Sequence, residues 1–150
     1  MASQTAKEYL KQTFTIDKEI NVLIQTVEEL ESKAEKVTTL LQLNEAQTDF
    51  NPHSREDTIV KMIDMKNKIN DRIDNLVDLK SEIFDKINKI EDPEYRTLLT
   101  LRYINLYTFE QIAVEMHYSW RHIIRKHGYA LLEFEKVNKC VIECHISKVL

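Results

Sequence analysis

"TFEQIAVEMHYSWRHIIRKHGYALLEF" fills residues 108–134, and where it divides decides the fold. Thr108 is a residue type that caps helices, and Phe109, Ile112, Ala113 and Met116 follow it at helical spacing. His117 and Tyr118 then interrupt the pattern, and Ser119 offers a second cap ahead of a longer helix. Two helices joined by three or four residues, the second basic on its outer side, make the pattern of a helix-turn-helix.

At about 100° per residue, Trp120, Ile123, His127, Leu131 and Phe134 share one broad face, expected to pack inward. Arg121 and Arg125 lie nearly opposite, one turn apart, and Gly128 and Leu132 continue their line. No acidic residue stands between His117 and Glu133. A helix that enters a major groove needs such a division. One face is fixed in the protein, and the other offers donors to base edges and phosphates. Ser119 can give its hydroxyl and backbone N–H to a phosphate, and Lys126 and Tyr129 flank the reading face. The competing reading of Arg121, Arg125 and Lys126 is a solvated surface, and that of Trp120 is core. His122 reads as a surface residue and His127 as a half-buried packer, not as metal ligands. Gly128, the only glycine, either lets a duplex come close or merely weakens the helix by about 1 kcal/mol.

Upstream, "EDPEY" punctuates the chain. Asp92 can cap, Pro93 suits the first helical position, and Glu94 complements the dipole. A helix should run to about Ile104 with Leu98, Leu99 and Leu101 inward, before "NLYT" ends it.

The first 91 residues read differently. Ile16, Ile20, Leu23, Val27, Leu30, Ala34, Val37 and Leu41 recur in alternating steps of four and three, a heptad seam that needs a partner helix. "NEAQTDFNPHS" breaks it, and Ser54 with Asp57 has the form of a capping box, so a second helix should start near Arg55. That helix has its own seam, Ile59, Met62, Lys66, Ile69, Ile73, Leu76, Lys80, Ile83, Ile87 and Ile90. Lys66 and Lys80 occupy core positions. They either snorkel at the seam's edge or fix partner and register. The pairing can be a hairpin within one chain, a dimeric coil, or a bundle of two hairpins. A two-helix core is thin, which favours a homodimer through this region.

Composition agrees with long helices. The 150 residues hold one glycine and two prolines, 43% hydrophobic and 31% charged residues, and a formal net charge of -4. So little turn material argues against all-β and Rossmann-like folds and rules out a Gly-rich phosphate loop. Residues 1–91 carry 18 acidic and 13 basic side chains; residues 92–139 carry 6 and 7. An acidic scaffold thus joins a mildly basic module, with a short tail at 140–150. No signal peptide or membrane span is visible, and two cysteines four apart fit a cytoplasmic protein with free thiols. "CVIECH" holds Cys140, Cys144 and His145, too few ligands for zinc without a fourth group. A Cys–His nucleophile lacks any identifiable oxyanion donor, so no enzyme and no cofactor are expected.

"PEYRTLLTLRYINLYTFEQIAVEMHYSWRHIIRKHGYALLEFEK", residues 93–136, resembles the promoter-reading region 4 of bacterial sigma factors. The shared elements are Leu101-Arg102-Tyr103, Thr108 to Ala113, and Tyr118-Ser119. With its helical N-terminal part, the chain is similar to small phage and prophage late transcription regulators of Gram-positive bacteria, of the RinA and ArpU kind. The run from Arg125 to Leu131 looks especially like that group. The resemblance implies sequence-specific binding of double-stranded DNA and contact with RNA polymerase. It places Ser119, Trp120, Arg121, Ile124 and Arg125 at reading positions. Two departures stand out. Asn105-Leu106 replaces the usual turn glycine, and Asn105 is expected to take the left-handed conformation. His117 occupies the helix-turn-helix turn, usually Gly or Asn, and must tolerate positive φ.

The expected protein is therefore all-α: a helical coil over 1–91, then a helix-turn-helix over 92–139. Its DNA-binding set is Ser119, Trp120, Arg121, His122, Ile124, Arg125, Lys126 and Tyr129, with no metal site. The competing function is a module that binds RNA polymerase or a host or satellite repressor without reading DNA.

Overall fold

The computed structural model describes residues 2–43, 52–140 and 142–143, and it is all-α, with no strand among those residues. Five helices follow in order: α1, Ala2–Leu43; α2, Pro52–Asn88; α3, Pro93–Leu99; α4, Phe109–Glu115; and α5, Trp120–Val137. A π-helical turn, Thr100–Ile104, extends α3. Helix α2 starts three residues earlier than expected, with proline at its first position. The side chain of Ser54, needed for the expected capping box, lies outside the described residues, as do those of Leu41, Cys144 and His145.

The chain forms two compact units, Lys18–Val77 and Met1–Asp17 with Asp78–Leu150. This differs from a division near residue 91. The reason lies in the core of the second unit, which includes the start of α1 and the end of α2. Ala6, Leu10 and Thr13 of α1, Ile83 and Ile87 of α2 and Ile90 just past it are buried there with Leu98, Leu99, Ile112, Ile123 and Phe134. The Tyr9 ring stacks on Phe134 at 6.0 Å. Lys86 donates to the Tyr9 hydroxyl at 2.9 Å and to Glu82 at 2.6 Å. Burial pulls the Lys86 ammonium down, but those two bonds outweigh it and hold its pKa above the usual value. Asn138, just past α5, donates to the Lys86 carbonyl at 3.1 Å, and Ile142 beyond it is buried.

In the unit Lys18–Val77, α1 and α2 pair antiparallel within one chain, as a hairpin. Lys66 is ion-paired with Glu31, and Arg72 lies 3.0 Å from Glu19. The seam positions are as expected, but Ile20, Leu23, Val27, Leu30, Ala34 and Val37 are only half-buried. One helix cannot enclose another's apolar stripe. In the other unit Lys80 bonds Asp17 at 2.6 Å. Both seam lysines thus snorkel outward and each finds a carboxylate on α1.

Three caps are formed where the sequence asks for them. The Asp92 side chain accepts from Glu94 N at 2.8 Å, with Pro93 following. Thr108 and Gln111 form a reciprocal capping box. Ser119 Oγ accepts from His122 N at 3.3 Å.

Candidate nucleic-acid interface

Helices α4 and α5 are joined by residues 116–119, and His117 turns the chain with φ 57°. The left-handed residue was expected there and is found. Before α4 the outcome differs by one residue: Leu106, not Asn105, has positive φ, 62°. The π turn explains the shift. Asn105 N still bonds the Thr100 carbonyl at 3.0 Å, so Asn105 stays right-handed and reversal waits for Leu106. Arg102 then fixes the loop. It donates to the Tyr107 carbonyl at 2.6 Å and lies over the Phe109 ring at 4.5 Å and the Phe14 ring at 5.1 Å.

Ile123, His127, Ala130, Leu131 and Phe134 anchor α5 inward. The Tyr103 hydroxyl stands 3.0 Å from His127 Nε2. Burial, with Lys7 and Arg102 nearby, holds His127 neutral, its pKa pushed down to about 4. Burial likewise pushes Tyr103 up to about 12. His127 is therefore fully interior, deeper than the half-buried packer expected.

On the outward side Arg121 and Arg125 are exposed, without hydrogen-bond or ion-pair partners among the described residues. Ser119, Ile124 and Tyr129 are also exposed, and Gly128 is half-buried. Three expectations change. Trp120 is 50% exposed and does not join the core face, because at the first turn of α5 no described element buries it. Its indole lies near the Glu110 carboxylate and favours its charged form. Glu110 is held below the usual carboxylate range by its own backbone N–H first, then by Thr108 and Trp120. Lys126 does not flank the outward face of Arg121 and Arg125. It turns to Glu94 as an ion pair and lies over the Tyr118 ring at 4.8 Å, with its side chain 18% exposed. Glu94 also accepts from the Tyr118 hydroxyl at 2.9 Å, tying α3 to the turn and to α5. His122 is half-buried, its ring 4.7 Å from that of Tyr118.

The structure therefore brings together Ser119, Trp120, Arg121, Ile124, Arg125 and Tyr129, and withdraws Lys126 and most of His122. Sequence reasoning missed Glu94 and Glu110 as positioning groups. Glu94 stands 32 residues from Lys126, and no local spacing signals that pair. Beside the site an open cleft is lined by Tyr107, Glu110, Gln111, Val114 and Glu115, and Val114 is 75% exposed.

Free guanidinium groups one turn apart on a rigid helix can donate in pairs to acceptors on a surface such as a base edge. Cys140 is exposed, and no group of three or more His, Cys, Asp or Glu among the described residues can hold a metal ion. No helix among those residues is long and apolar enough to cross a membrane.

No curated protein and no solved structure matches the chain. One family does, over residues 50–135, from before α2 almost to the end of α5. That span covers more than half of the chain, which belongs to the family described as "Protein of unknown function (DUF1492)".

Proposed function

We propose that the chain is a sequence-specific DNA-binding transcriptional regulator, of the phage late-regulator kind it resembles, and that α5 reads the major groove. The observation that carries this reading is the outward pair Arg121 and Arg125, exposed and without a carboxylate partner among the described residues. The inward anchor of Ile123, His127 and Phe134 gives that pair a fixed direction. Arginine donates bidentately to guanine, and each such contact discriminates by about 1–3 kcal/mol. Arg121→Ala and Arg125→Ala should each weaken binding to the preferred duplex by roughly five- to 150-fold, with helicity unchanged. Equal band shifts for both variants and the parent chain would refute the reading. Increasing salt should weaken binding steeply, since phosphate neutralisation supplies much of the affinity.

The regulator acts as a homodimer in this proposal. Support comes from the half-buried seam of Lys18–Val77 and from Val60, Ile63 and Val77, which are exposed on α2. Sedimentation equilibrium should give twice the chain mass at micromolar concentration, and Ile63→Glu with Val77→Glu should return the monomer. A monomeric parent chain would remove the dimer from the account.

A second reading is favoured by one observation, the exposed Val114 between Glu110 and Glu115. An apolar residue framed by acids suits a basic protein partner, such as a surface of RNA polymerase or of a host or satellite repressor. Retention of a partner from nuclease-treated lysate, lost on Val114→Lys and unaffected by Arg121→Ala, would favour it if DNA affinity is absent.

A further inference from the structure

Trp120, Ile124, Gly128 and Leu132 follow one another at four-residue steps along α5. The three side chains are 50%, 37% and 48% exposed. Large apolar groups in a line on an exposed helix mark a contact surface rather than a core. Gly128 sits in the middle of that line, and its own fold does not need it. Its φ is not positive, and a Cβ built there meets nothing within 4 Å. A glycine inside a helix is less stable there than alanine. Neither backbone conformation nor packing explains it, so the space it leaves open serves something outside the chain.

The neighbours of the line identify the chemistry. Arg121 and Arg125 run beside it without partners among the described residues, and no acidic residue belongs to the helix before Glu133. A docking protein helix would have to cover two guanidinium groups with its own carboxylates. The major-groove edge of DNA offers what the line and its flank need side by side: guanine acceptors and thymine 5-methyl groups.

We propose that Trp120 and Ile124 rest on thymine 5-methyl groups while Arg121 and Arg125 take adjacent guanine acceptors, and that Gly128 admits the duplex wall. The preferred site thus contains thymine next to guanine. This inference rests on the DNA-binding reading above, and its experiment separates the two.

The full chain is used to select duplexes from a random 20-base-pair library. In the tightest duplex each thymine is replaced singly by deoxyuridine, which lacks only the methyl group. One or two replacements should weaken binding by the parent chain about fourfold, the loss expected for one buried methyl. Ile124→Ala should be indifferent at one of those positions. Gly128→Ala should raise the melting temperature yet weaken binding at least fivefold, a pair of effects that a purely structural glycine does not give. Tight binding that ignores every deoxyuridine, or Gly128→Ala binding like the parent, overturns the inference and leaves the DNA reading standing. Failure to enrich any duplex overturns both and turns the line into a protein contact.

Discussion

His127 shows how one residue couples the interior to conditions outside. It is neutral and buried beside Tyr103, with its folded pKa near 4 against an ordinary 6.5. Between those values the unfolded chain binds the proton and the folded chain does not, so stability rises with pH across the window. Above about 6.5 the contribution is complete; as pH falls towards 4 it is lost, at a cost on the order of 3 kcal/mol. Melting curves between pH 4 and 7 should show this slope, and His127→Gln should flatten it. An equal slope in the variant would place the titration elsewhere. At this scale the outward direction of Arg121 and Arg125 was legible, because helical angle alone sets it. Trp120 was not, since angle says nothing about whether a neighbouring element reaches the first turn. Lys126 was misread for a similar reason: its partner, Glu94, comes from another helix.

Elements are set by their ends. Asp92, Thr108 and Ser119 all cap as the sequence indicates, because capping is local chemistry. The turn before α4 was legible only to within one residue, since a π turn is not written in apolar spacing. His117 gives a clean test of the turn before α5. Its φ is 57° and its side chain is exposed, so a substitution there alters conformation with little change in packing. His117→Gly should stabilise the fold by about 1 kcal/mol, and His117→Val should destabilise it by at least as much. That change corresponds to roughly 2–4 °C in melting temperature for a chain of this size. Two variants of the same sign would argue against a left-handed turn. The same comparison by band shift tests whether turn geometry sets the aim of α5: His117→Gly should bind as the parent does.

For the whole molecule, heptad spacing foretold the two long helices and which of their residues face each other. It could not tell pairing within a chain from pairing between chains, since both bury the same positions. Within the chain Lys66 pairs with Glu31 and Lys80 with Asp17, residues too distant in sequence to be matched by spacing. Nor could spacing show that the core of one unit takes in the start of α1 and the end of α2, with Tyr9 against Phe134. The charge division has a consequence at this scale. Residues 1–91 hold an excess of five acidic side chains, so DNA should be repelled by the coil and met only by α5. Backbone amide NMR of the full chain, titrated with the selected duplex, tests this most directly. Shifts concentrated in residues 119–132, with α1 and the length of α2 unmoved, are the result predicted. Shifts confined to Tyr107, Val114 and Glu115, or none in α5 at saturating duplex, would contradict it.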